Sequence, residues 1–138
     1  MAEAESKNEA LVRRFFEEAL NTGDLEKMRP YFHPDATWQP MAKSNIPGTG
    51  AHKGRKGIVD DFLGPVRGLF VDGDPKNKIL NIFGKGNWVA VETHGTGKFR
   101  NGRDYDNRYA WFVEIKDDMI YIIREYMDTA YIQSVTRP

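Results

Sequence analysis

Cysteine is absent from the 138 residues, which excludes disulfides, thiolate catalysis and cysteine-held metal clusters. Net charge is absent too: twenty Lys and Arg offset twenty Asp and Glu. Proteins dedicated to nucleic acid or to an anionic membrane surface usually carry a basic excess, so neither partner is expected. No apolar run approaches the ~20 residues of a membrane-spanning helix. The opening MAEAESKNEA is polar and acidic, without a secretory apolar segment, so a soluble cytoplasmic domain is expected. Histidine is scarce. His33, His52 and His94 have neither H-x-H nor H-E-x-x-H spacing, so no metal site is expected. The loop GTGAHKG (48–54) lacks the G-x-x-x-x-G-K-[ST] order of a phosphate loop, and Lys53, Arg55 and Lys56 beside it read as a solvated basic cluster.

What the chain does contain is a change of hydrophobic period. Ser6 and Glu9 form a capping-box pattern, and Leu11, Val12, Phe15, Phe16, Ala19 and Leu20 repeat at helical spacing, predicting a helix over 7–21. Asp24 caps a shorter helix that buries Leu25, Met28 and Phe32, closed by His33-Pro34-Asp35. A short strand at 36–39 and a long loop at 40–57 follow. Ile58, Val59, Phe62, Leu63 and Val66 predict a third helix, disturbed at Gly64-Pro65. After the turn at 72–75 the period becomes two. Strands are expected around 79–83, at 88–99, at 104–116 and at 119–128, with a hairpin at Asn101-Gly102-Arg103. Helices first and strands last make an α+β domain spanning 1–138. Three N-terminal helices folded on the concave side of a curved, mainly antiparallel sheet would leave a cone-shaped pocket.

Three stretches, RRFFEEALNTGDLEKMRPYFHPDATW (13–38), GRKGIVDDF (54–62) and YDNRYAWFVEIKDDMIYIIREYMD (105–128), carry a resemblance to the NTF2-like superfamily, particularly its SnoaL-like and ketosteroid-isomerase-like proteins. The resemblance implies the cone fold, no cofactor and proton-transfer chemistry on a hydrophobic small molecule. It does not imply steroid isomerisation. The places of that activity's tyrosine and two aspartates hold Phe16, Pro40 and Ala110. The limonene-epoxide-hydrolase pattern is more distant: Glu92, His94 and Glu125 stand where it has arginine and two aspartates.

By strand alternation Trp88, Ala90, Glu92 and His94 share one face, and Val89, Val91 and Thr93 the other. The resemblance turns Glu92, His94, Asn107, Tyr109, Trp111, Ile123, Glu125 and Met127 toward the cone. His94 is then the expected base, Glu92 its partner and Glu125 the second acid–base group. Trp38, Phe16, Asn107, Tyr109, Trp111, Ile123 and Met127 would enclose substrate, with His52 at the mouth. The plainer alternative makes Glu92 and His94 solvated cross-strand charges. The expected function is a cofactor-independent isomerase, cyclase, dehydratase or hydratase. A non-catalytic ligand-binding or protein-interaction module and an epoxide hydrolase are the alternatives. Phe112 and other apolar groups on the outer sheet face predict a homodimer.

Overall fold

The computed structural model describes residues 5–43 and 46–137. Residues 44 and 45 of the expected loop, and the first four residues of the polar opening, lie outside that range. Ser6 starts the first helix as its capping pattern requires, its hydroxyl accepting the Glu9 N–H at 3.1 Å. Helix α1 (Lys7–Arg14) continues through a wide π turn, Phe15–Ala19, and a tight 3-10 turn, Leu20–Thr22. Gly23 ends it with φ 75°, and a Cβ there would lie 2.9 Å from the Gly73 Cα. Only glycine meets both demands. Asp24 caps α2 (Leu25–Met28), accepting the Glu26 N–H at 3.0 Å and the Lys27 N–H at 3.4 Å.

Six strands follow the sheet order β2-β1-β6-β5-β4-β3: β1 (Phe32–Pro40), β2 (His52–Lys53), β3 (Lys76–Lys85), β4 (Trp88–Lys98), β5 (Asp104–Lys116) and β6 (Met119–Met127). All neighbours are antiparallel except β1 and β6, which run parallel. Register shifts in the β1–β6, β3–β4 and β5–β6 ladders bend the sheet. The expected α+β, NTF2-like architecture stands.

Four boundaries differ from expectation. His33-Pro34-Asp35 belong to β1 instead of closing the second helix. There the Asp35 N–H donates to His33 Nδ1 at 3.0 Å, and His33 Nε2 meets Asp117 Oδ2 at 3.2 Å. The long loop contains β2. The third helix, wide over Lys56–Leu63, runs on into α3 (Gly64–Arg67), because the change of turn at Gly64 accommodates the N–H that Pro65 lacks. Finally, α4 (Thr129–Val135) closes the chain, capped by Asp128 accepting the Tyr131 N–H at 3.0 Å.

The core lies between the helices and the concave sheet face. Phe15 and Phe16, both fully buried on the π turn, reach Trp38 and Trp111 at ring distances of 6.3 and 5.1 Å. Such edge contacts add to the burial of large rings and fix their angles. They form the floor on which the site is built.

Candidate functional site

Strand β5 alternates without a break. Tyr105, Asn107, Tyr109 and Trp111 are buried, and Asp106, Arg108, Ala110 and Phe112 are exposed. The β4–β5 register sets Gly95 opposite Asn107, Thr93 opposite Tyr109 and Val91 opposite Trp111. Residues directly opposite each other share a face. Val91, Thr93 and Gly95 therefore look into the cone, and Glu92 and His94 look out. This overturns the expected placement of Glu92 and His94 toward the pocket. Glu92 is exposed, and His94 donates to Asp106 Oδ1 at 2.5 Å on the outer face. Trp88, which made that face look buried, lies outside with Arg124, whose guanidinium is 5.3 Å from the ring centroid.

Inside the cone is a cavity of about 90 Å³. Trp38, Tyr109, Trp111, Glu125 and Met127, all anticipated, border it. Phe16, Asn107 and Ile123 are buried behind its wall as packing and support. His52 is not part of the lining. It stacks on Phe62 at 4.2 Å, and its Nε2 lies 2.7 Å from the Gly48 carbonyl.

Glu125 is the carboxyl group that the fold brings inside. It comes from β6, beside β1, and Trp38 Nε1–H donates to its Oε1 at 2.9 Å. Its residual exposure reflects the cavity it borders, while the surrounding protein strips its charge of water. Burial raises its pKa from 4.5 to about 7, against the opposing pull of the Trp38 N–H.

Tyr109 stands beside it. Its hydroxyl shares a short hydrogen bond with that of Tyr105, and Asn107 Nδ2 donates to the Tyr105 oxygen at 3.1 Å. Either hydroxyl of the pair can donate; with Tyr105 as the donor, which its acceptance from Asn107 permits, the Tyr109 proton is free for a ligand. Burial pushes Tyr105 up to about 12 and Tyr109 well above its ordinary value, so both stay protonated donors. Gly95 makes this possible, since a Cβ there would lie 2.8 Å from Tyr109 Cε2.

A buried polar chain braces the wall. Trp111 Nε1–H donates to Thr93 Oγ1 at 2.9 Å, and Thr93 donates to Asn77 Oδ1 at 2.9 Å. Asn77 exchanges two backbone bonds with the Asn21 side chain, at 2.7 and 2.9 Å. The lining also includes Arg67, from the end of α3. Its Nη2 donates to the Pro75 carbonyl at 3.0 Å, and its Nε is buried without an acceptor. Burial lowers its pKa to about 10, which still leaves it charged at neutral pH.

Sequence reasoning missed Arg67 and Tyr105. Tyr105 had a signal: it continues the alternation of Asn107, Tyr109 and Trp111. Arg67 had none, because a helix-terminal arginine reads as solvated until the 72–75 turn returns over it. Among the described residues no group of three or more His, Asp or Glu is arranged to hold a metal, and no helix is long and apolar enough to cross a membrane.

The family model described as a SnoaL-like domain matches residues 12–123. No curated protein matches the chain. Among solved structures, a protein from a soil-derived mobile gene cassette is 27% identical with a TM-score of 0.77, over 91% of this chain and 92% of that one. TerC, co-crystallised with polyporic acid, is 18% identical with a TM-score of 0.81, over 94% and 97%. An NTF2-like protein of unknown function from Burkholderia pseudomallei is 17% identical with a TM-score of 0.84, over 97% and 100%.

Proposed function

The chain belongs to the SnoaL-like domain family, whose relatives include polyketide cyclases and isomerases, and we propose that it is an acid–base enzyme acting on a hydrophobic, oxygen-bearing small molecule. One observation carries the reading: a carboxyl with a pKa of about 7 borders an apolar cavity beside a protonated tyrosine pair. A carboxyl poised near neutrality can both take and return a proton.

In the proposed reaction, ionised Glu125 removes a proton from a carbon next to a carbonyl. The electron pair moves onto the carbonyl oxygen, and Tyr109 donates a hydrogen bond to the enolate that forms. Where the carbonyl is β,γ-unsaturated the anion is a dienolate, and Glu125 returns the proton to its γ carbon, giving isomerisation. Alternatively the enolate carbon attacks a second carbonyl and Glu125 returns the proton to the alkoxide that forms, giving cyclisation. A positioned acid–base group contributes ~10²–10⁴ in rate, and one oxyanion donor ~10²–10³. His94 and Glu92 have no part in this scheme, since both stand on the far side of the sheet.

The test is deuterium exchange. Cyclic 1,3-diketones and polyketide-like ketones are incubated in deuterated water, and loss of the C–H signal is followed by proton NMR. Wild-type protein and His94→Ala should exchange alike, and Glu125→Gln should slow exchange by ~10² or more. Equal rates in the glutamine variant would reject Glu125. The small volume of the cavity supports a second reading, a ligand carrier. It predicts ligand-dependent thermal stabilisation with no exchange in any ketone. In either reading the outer sheet face, where Phe83, Phe112 and Tyr126 remain exposed, pairs with a second copy of the chain.

A further inference from the structure

Arg67 is the group at the cavity that proton transfer leaves unused. Burying a guanidinium is costly unless a counter-ion and acceptors replace its water. Here one hydrogen bond, to the Pro75 carbonyl, is made among the described residues, and Nε has no acceptor. No carboxylate there forms an ion pair with Arg67. Asp74 bears on it electrostatically, but that carboxylate already accepts the Lys98 N–H at 3.0 Å and lies 3.7 Å from Lys76 Nζ. Arg29 is the contrast. On the surface it makes four hydrogen bonds to Glu26 and Asp60.

Three features say what acceptor is missing. Tyr109, Glu125 and Arg67 all border the cavity, and the Tyr109 phenol bears electrostatically on Arg67. One lining therefore carries an acid–base group and a cationic group. The walls of the cavity are largely apolar and aromatic, with Val66, Phe70, Phe99 and Met127 among them. The space is about 90 Å³, so the ligand is compact. A phosphate dianion would leave excess negative charge in so apolar a space with one cation to meet it. A monocarboxylate matches the charge and the forked donors of an arginine.

We propose that the cavity binds a compact monocarboxylate with a planar apolar body, its carboxylate held by Arg67 and its body lying toward Glu125. This names the substrate class of the acid–base site and rests on that reading for its chemistry, though not for its binding.

Benzoate and benzamide, nearly equal in shape and different in charge, are the probes, and calorimetric titration is the measurement. Wild-type protein should bind benzoate at least about tenfold more tightly than benzamide. Arg67→Met should lower benzoate to the level of benzamide, and Arg67→Lys, which keeps a point charge but loses the fork, should retain part of the preference. Equal binding of the two probes by wild type, binding of neither up to millimolar concentration, or an undiminished preference in Arg67→Met would overturn the proposal. The wild-type comparison holds even where a variant folds poorly. The two readings also fail separately. A preference for benzoate without deuterium exchange in any ketone keeps the anchor and removes the chemistry, whereas exchange without that preference removes the anchor.

Discussion

Replacing Glu125 with glutamine should stabilise the protein at pH 8 and leave it nearly unchanged at pH 4. The carboxyl has a pKa of about 7 in the fold and 4.5 ordinarily, with burial as the main cause. Below pH 4.5 the folded and unfolded chains both hold the proton, and the group adds no pH dependence. Between 4.5 and 7 the unfolded chain releases its proton while the folded chain keeps it, so stability falls as pH rises. Above 7 both are ionised and the loss is constant. The gap of about 2.5 pH units, at ~1.4 kcal/mol each, amounts to about 3 kcal/mol.

The glutamine side chain has no charge, yet its amide oxygen can accept the Trp38 N–H that Glu125 accepts now. The bond therefore survives in the variant while the ionisation does not. Urea unfolding at constant ionic strength across pH 4 to 8 measures the difference, with equal m-values as the check on two-state behaviour. The advantage of the variant should grow by about 3 kcal/mol over that range, roughly 10 °C in Tm. Two parallel stability curves would refute the desolvation of Glu125, and with it the premise for proton transfer.

Thr93→Val removes the partner of Trp111 Nε1 and of Asn77 Oδ1 together, both in buried bonds of 2.9 Å. The midpoint of urea unfolding should fall by the equivalent of ~2–4 kcal/mol, and a loss under ~1 would mean that water replaces the hydroxyl. Gly95→Ala puts a methyl group 2.8 Å from the Tyr109 ring carbon. It should cost ~1–3 kcal/mol by overpacking and also slow ketone exchange, because the ring that must move carries the hydroxyl. Phe112→Asp, on the outer face, should convert a dimer into a folded monomer by light scattering. A wild-type monomer at micromolar concentration would remove the interface.

The fold was legible because its signals are local and repeated. The Ser6 and Asp24 caps, the glycine at 23, and the unbroken alternation of β5 each say the same thing at several residues. The end of the chain was equally readable and was missed. Asp128 is a capping residue, and Tyr131, Ile132 and Val135 pack one side of α4 against the core. Half of the site was readable by the same logic. Trp38, Tyr109, Trp111, Glu125 and Met127 line the cavity as alternation in β1, β5 and β6 requires. Arg67 was not readable. Its burial depends on Pro75, eight residues further on, whose carbonyl takes the Nη2 bond, and no periodicity in either segment announces that meeting.

The misplacement of Glu92 and His94 has a more exact cause, lying outside β4 altogether. Their own strand is a near tie: Trp88 and Ala90 on one face weigh about as much as Val89 and Val91 on the other. The deciding residues are in the hairpin. Asn101-Gly102 invites a two-residue turn, and that turn would set Tyr109 opposite His94 and Trp111 opposite Glu92. In the fold the Phe99 N–H donates to the Arg103 carbonyl at 2.8 Å, and the loop holds three residues, Arg100, Asn101 and Gly102. Gly102, with φ 91°, takes the left-handed position that closes such a loop. One extra residue moves every side chain of β4 to the other face, so Tyr109 meets Thr93 and Trp111 meets Val91. The chemistry of the cavity is thus set by a loop remote from Glu125. Forcing the two-residue Asn101-Gly102 turn, with Arg100 opposite Arg103, would require either burying Glu92 and His94 or breaking the pairing. Unfolding, not a new active site, is the expected result, because two desolvated charged groups would replace a valine and a threonine on the buried face.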